Sequence, residues 1–220
     1  MARELQFKRR GAANGRAKSL VVFLHGYGAD GADLLGLADP LAAHLPGTVF
    51  MAPDAPEACS GNPFGRQWFS IPRFDGSSEV DAAVAMNKAA ADLNAFLDAR
   101  LLDEGLTPQA LALVGFSQGA MMALHVAPRR PVAMAGVVAI SGMLMRAQVL
   151  ALETVVKPAV LLVHGDADEM VPFGEMSKAG LALQAAGFDT FGHVMRGTGH
   201  GIAPDGLGVA MQFLKERLPK

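Results

Sequence analysis

The strongest constraint on this chain is the order of its patterns, because short unbroken apolar runs alternate with helix-like stretches along its length. Leu20–Leu24 (LVVFL) contains no polar residue, as expected of a strand covered on both faces. Further strands are expected at Thr48–Met51, Ala110–Phe116, Val132–Ile140, Ala159–Val163 and Thr190–Met195, with an edge strand at Leu5–Arg10. Helical patterns occupy Ala32–His44, Glu79–Leu102, Gly119–Ala127, Arg146–Glu153, Phe173–Ala186 and Pro204–Leu218. Such close alternation predicts an α/β fold with a mostly parallel central sheet and helices on both faces. The 220 residues suit a single domain, 1–220, and an apolar content of 51% supplies its core.

Pro53–Ser78 interrupts the alternation. It holds Pro53, Pro56, Pro63 and Pro72, several glycines and no clear period. Long ordered loops in compact domains are often functional. This one is too short for a helical cap, so no separate lid domain is expected.

Charge and cysteine content remove several classes of function. Nineteen Lys and Arg oppose 21 Asp and Glu, without a basic patch, so nucleic acid is not an expected partner. A single cysteine, Cys59, forbids an internal disulfide and argues against a cysteine-based metal site. Neither metal nor organic cofactor is implied. The first twenty residues carry charges throughout, and no run approaches the ~18 apolar residues of a membrane span. A cytoplasmic chain without stable membrane insertion is therefore expected; a homodimer is compatible with these features.

In parallel sheets ligands sit beyond the carboxyl ends of the strands, so chemistry should follow strands. Gly115-Phe116-Ser117-Gln118-Gly119 does so: it matches G-x-S-x-G between the strand ALALVGF and the helical GAMMALHVA. A turn this tight needs small flanking residues, holds the Ser117 hydroxyl above the sheet, and places a helix N-terminus behind it. A serine needs a base to take its proton. In strand–turn–helix hydrolases the acid and then the base follow the nucleophile along the chain. Of the six histidines, His164, His193 and His200 qualify by order. His193 lies within an expected strand and His164 begins a loop, whereas His200 sits in the flexible turn Gly197-Thr198-Gly199-His200-Gly201, from which it could reach Ser117. Asp166 and Asp168 both follow the strand AVLLV, and spacing does not separate them; Glu169 and Glu175 are weaker candidates. For a developing oxyanion, the expected donors are the backbone N–H of Gln118 and that of Tyr27 in His25-Gly26-Tyr27-Gly28, just after LVVFL.

Taken together, FLHGYGAD, APDAP, QWF, GFSQGAMMAL, ISG, HGDADEMVP and GTGHGI resemble the phospholipase/carboxylesterase family of α/β-hydrolases, which includes acyl-protein thioesterases and small bacterial carboxylesterases. The likeness runs almost end to end. It implies an α/β-hydrolase fold, assigns the catalytic acid to the second aspartate of HGDADEMVP, Asp168, and again points to Tyr27 as an oxyanion donor. Two positions depart from the family pattern: Ser70 follows Trp68-Phe69 where an aspartate is common, and Ala120 stands where a second glycine is frequent.

The expected activity is hydrolysis of short- to medium-chain carboxylic esters through an acyl-enzyme. The substrate is a small-molecule ester or thioester, with Ser117, His200 and Asp168 as the catalytic residues. An acyl-protein thioesterase or lysophospholipase would use the same residues. A catalytically silent binding protein is the non-enzyme alternative, and a dienelactone-type hydrolase would usually carry cysteine in place of Ser117. Trp68 and Phe69, in the irregular loop, are the expected walls of an acyl groove, although Trp68 could equally pack as satellite core. Core filling is the favoured account of Met121, Met122, Met143 and Met145, and a structural role that of Cys59.

Overall fold

The computed structural model describes residues 2–219. Its strands, in chain order, are β1 (Phe7–Arg10), β2 (Ser19–Leu24), β3 (Thr48–Pro53), β4 (Glu57–Ala58), β5 (Arg66–Gln67), β6 (Leu111–Phe116), β7 (Gly136–Ile140), β8 (Val160–Gly165) and β9 (Thr190–Met195). The helices are α1 (Gly31–Leu35), α2 (Ala38–Ala42), α3 (Pro72–Asp75), α4 (Glu79–Glu104), α5 (Gln118–Val126), α6 (Leu150–Glu153), α7 (Gly174–Ala185) and α8 (Pro204–Arg217). Seven strands form one sheet in the order β1-β3-β2-β6-β7-β8-β9, while β4 and β5 make a separate hairpin. Only β1 runs antiparallel to its neighbour; every other pairing in the main sheet is parallel. This is the mostly parallel sheet expected from the alternating runs, as the α/β-hydrolase fold implied by the resemblance also requires.

The unbroken apolar strands are explained by cover on both sides. Leu20, Val22, Leu24, Leu111 and Leu113 pack with residues of α4, α5 and α7. Their sequence neighbours Val21, Phe23, Ala112 and Val114 pack with residues of α1, α2 and α8. Alternate side chains of one strand thus enter two different cores, which is why no polar position could be spared. Each fully buried Leu or Phe contributes about 1.5–3 kcal/mol relative to exposure. The long helix α4 starts where the Ser78 hydroxyl accepts the Asp81 N–H and stops at Gly105, whose φ of 64° lets the chain turn away.

Strand order places the site. From β2 the chain moves to β3 on one side, then returns to lay β6 on the other. The loops after β2 and β6 therefore diverge at the carboxyl edge of the sheet and leave a crevice between them.

Some boundaries differ from expectation. Ala32–His44 is two short helices, broken at Gly36-Leu37. The strand expected from Val132 begins only at Gly136, and Arg146–Glu153 is a 3-10 turn followed by the one-turn α6. Pro53–Ser78 is irregular as anticipated, apart from the β4–β5 hairpin and α3. Among the described residues, no helix is long and apolar enough to cross a membrane.

Candidate active site

Three loops at the carboxyl edge converge. The first is the turn after β6. Ser117 there has φ 54° and ψ −117°, a conformation that costs a non-glycine residue about 1–3 kcal/mol. The turn tolerates no side chain two positions to either side of it: a Cβ at Gly119 would overlap the Leu24 carbonyl, and one at Gly115 the Gly119 carbonyl. Ser117 N–H donates to the Ile140 carbonyl at 2.9 Å, which ties the turn to β7. The hydroxyl is thereby held at the start of α5.

The second loop follows β8. Asp168 Oδ1 accepts the N–H groups of Met170 and Val171, both at 2.9 Å, so the carboxylate is fixed by its own turn. The third follows β9 and carries His200. Its Nδ1 lies 2.8 Å from Asp168 Oδ2 and its Nε2 3.0 Å from Ser117 Oγ. Burial alone would raise the Asp168 pKa. The hydrogen bonds from His200, Val171 and Met170 outweigh it, and the carboxyl lies below its ordinary 3.8. An ionised carboxylate only accepts, so the shared proton sits on Nδ1 and the Nε2 lone pair faces the serine hydroxyl. An imidazole held this way can take a proton from Ser117.

The two aspartates that spacing could not separate now separate. Asp166 turns instead to the histidine loop, accepting Gly197 N–H at 2.6 Å and Arg196 at 3.3 Å. His193 pairs with Asp205 at 2.8 Å, consistent with its expected structural role. His164 is buried in β8, with Nε2 3.0 Å from the Val171 carbonyl and 3.4 Å from Asp168 Oδ2.

A cavity of about 560 Å³ opens beside Ser117 and His200. Tyr27, Gln118 and Phe69 line it, together with Met121, Met143 and Met145. The methionine reading is thus corrected in part. Met121 and Met122 belong to the core and Met143 and Met145 pack against it, but Met121, Met143 and Met145 also wall the cavity, where a flexible thioether adapts to an irregular space. Helical spacing on α5 could not reveal this, because the cavity abuts the core. Neither the Tyr27 nor the Gln118 main-chain N–H has an acceptor among the described residues. A Cβ at Gly26 would stand 3.3 Å from that of Ser117, so the Tyr27 loop lies directly against the turn.

Trp68 requires correction. It is fully buried, with no exposed surface, and does not line the cavity. Its indole N–H donates to the His25 carbonyl at 3.0 Å and its main-chain N–H to Gln118 Oε1 at 2.8 Å, bonds that draw it beneath the site rather than into it. Phe69, the other expected wall, does line the cavity. The roles of His25, His164 and the Gln118 side chain were not foreseen. The signal for the two histidines was a histidine-glycine pair at the end of each of two buried strands, where a polar ring must find internal partners; the Gln118 side chain had no such signal. Cys59 is buried and unpaired, and no group of His, Cys, Asp and Glu among the described residues could hold a metal ion.

Comparison with known proteins identifies the family and the fold. Residues 11–218 match the family model described as Phospholipase/Carboxylesterase. The chain is 32% identical to acyl-protein thioesterase 1 of Saccharomyces cerevisiae, over 92% of this chain and 94% of that one. It is 27% identical to esterase YpfH of Escherichia coli, over 93% and 85%. Among solved structures, esterase PE8 superposes with a TM-score of 0.93 at 42% identity, covering 98% of this chain and 100% of that one. With a family match spanning nearly every residue and a fold that superposes from end to end, the chain belongs to the phospholipase/carboxylesterase family of α/β-hydrolases.

Proposed function

We propose that this chain is a serine carboxylesterase that cleaves short- to medium-chain carboxylic esters through an acyl-enzyme. The observation that carries this reading is the hydrogen-bonded series from Asp168 through His200 to Ser117, opening on an apolar cavity. Ser117 Oγ attacks the ester carbonyl while its proton passes to His200 Nε2. Negative charge collects on the carbonyl oxygen, and the N–H groups of Tyr27 and Gln118, which have no acceptor among the described residues, are its donors in this reading. Asp168 holds the imidazole in the accepting tautomer and stabilises it once charged. Collapse of the tetrahedral intermediate breaks the ester C–O bond, and His200 returns the proton to the departing alkoxide. Water then repeats the sequence on the acyl-enzyme and releases the acid.

The cavity favours an acyl chain. Its methionines and Phe69 offer apolar, conformable contact, and its volume falls within the roughly 300–1,000 Å³ usual for small-molecule sites. The names of the relatives support a second reading, an acyl-protein thioesterase, since a thioester would pass through the same tetrahedral intermediate. Two measurements test the proposal. A fluorophosphonate should label Ser117 and no other residue, and p-nitrophenyl octanoate should be hydrolysed in step with the unlabelled fraction. Comparison of kcat/KM for octanoyl oxoester and octanoyl thioester chooses between the two readings. A folded protein that neither reacts with the probe nor cleaves either ester would overturn both.

A further inference from the structure

The only tryptophan of the chain occupies an unusual position. It touches both loops that carry the candidate oxyanion donors, yet is itself sealed from the cavity. On one side, the side-chain amide of Gln118 brackets its backbone: Oε1 accepts Trp68 N–H at 2.8 Å and Nε2 donates to the Phe69 carbonyl at 2.7 Å. On the other, the indole N–H holds the His25 carbonyl at 3.0 Å, and the indole packs against the His25 ring at 5.6 Å between centroids.

His25 carries the constraint one peptide further. Its Nε2 accepts the Ala55 N–H at 2.9 Å, so the ring proton is on Nδ1, which donates to the Gly26 carbonyl at 2.7 Å. Burial drives the His25 pKa down, against the raising effects of the Gly26 hydrogen bond and of Asp54, Asp30 and Asp33; the ring is neutral and this tautomer is kept. The Gly26 carbonyl belongs to the same trans peptide as the Tyr27 N–H, and in a planar trans peptide the two point in opposite directions. Fixing the carbonyl therefore aims the N–H. A turned peptide would present an oxygen where the developing negative charge needs a donor.

We propose that Trp68 is a positioning residue for the oxyanion hole, joining the Gln118 turn to the His25–Tyr27 loop so that both main-chain N–H groups meet one oxygen. This rests on the esterase reading given above. It assigns the tryptophan to transition-state geometry, and the selection of acyl length to Phe69 and the methionines.

The test replaces the indole by benzothiophene, which keeps the shape and removes the N–H. Because the chain has one tryptophan, the replacement is confined to this position. Trp68→Phe and Gln118→Leu serve as second and third variants, each with its Tm and circular dichroism recorded. Expected is a fall in kcat of roughly tenfold to a hundredfold, below the ~10²–10³ typical of a deleted oxyanion donor. The fall should be the same on p-nitrophenyl acetate and octanoate, with KM nearly unchanged. An alkylboronic acid, which forms a tetrahedral adduct with the serine, should bind more weakly by the same factor. The Trp68 and Gln118 losses should overlap rather than multiply when combined. If the benzothiophene protein keeps full kcat, or keeps acetate turnover while its chain-length preference shifts, the proposal is overturned. An unmodified protein that cleaves no ester and takes no fluorophosphonate would instead remove the esterase reading, and the proposal with it.

Discussion

Asp166 and Asp168 stand two positions apart after β8 and hold the same histidine loop by different atoms: Asp166 accepts the Gly197 amide, and Asp168 accepts the His200 ring. The first bond shapes the loop, and the second sets the tautomer of its imidazole.

The two substitutions should therefore diverge. Asp168→Asn can present an N–H to Nδ1 and favour the wrong tautomer; kcat should fall by about 10⁴, the size known for such a change in a serine protease. Asp166→Asn keeps an oxygen for the Gly197 amide and should cost about tenfold or less, the scale of one ordinary hydrogen bond. Steady-state kinetics on p-nitrophenyl butyrate checks this, and reversed magnitudes would show that Asp166 is the acid.

Ser117 should trade stability for activity. With φ at 54° and ψ at −117°, its backbone is one that glycine adopts more freely. Ser117→Gly should abolish turnover and raise stability by about 1 kcal/mol, a Tm increase of about 2–4 °C for a chain of this size. Differential scanning calorimetry decides; an unchanged or lower Tm would mean that the turn carries no strain.

Acid should destabilise the fold well above the carboxylate range. His125 is buried, and its pKa is depressed from 6.5 to about 4, by burial first and then by Arg129 and Arg146, with Glu153 opposing. Between those values the unfolded chain binds a proton that the folded chain refuses. The contribution is thus complete above pH 6.5 and lost as pH falls toward 4. The span amounts to about 3 kcal/mol at about 1.36 kcal/mol per unit. Asp168, with its carboxyl below the ordinary value, adds a further loss only at still lower pH. Urea denaturation at pH 7 and pH 4.5 should show the drop, and His125→Leu should flatten it.

Acyl preference should climb with length and then stop. Each methylene still being buried gains about 0.8 kcal/mol, roughly fourfold in kcat/KM, until the cavity is full. Met145→Trp, which narrows the cavity, should move the plateau to a shorter ester without slowing p-nitrophenyl acetate. Long-chain triglyceride emulsions should be poor substrates.

Much of this was legible in the residues because parallel strands cannot hide their composition. LVVFL had to be covered twice, and GFSQG between a strand and a helix leaves its serine few other places to be. What stayed illegible was set by contacts across long separations. The tie between Gln118 and Trp68 spans fifty residues. The residues leave Trp68 open between cavity wall and satellite core, because an aromatic in an irregular loop has no period to show which way it faces; the fold buries it. The split of Ala32–His44 at Gly36-Leu37 was in fact legible, because Pro40 has no N–H to offer the Gly36 carbonyl and its ring would clash with it, so one continuous helix could not pass. Asp166 and Asp168 are equivalent by spacing; the resemblance favours Asp168, and the course of the His200 loop gives the two their different partners.

The position of Trp68 also bears on the order in which the molecule assembles. All of its hydrogen-bond partners lie within the first 118 residues, whereas the Ser117–His200 bond must wait until β8 and β9 have joined the sheet. Parallel pairings between distant segments are slow to form. On refolding from denaturant, tryptophan emission should therefore recover before ester cleavage does, so that this one indole would time the first half of the chain and the enzyme's own turnover the second.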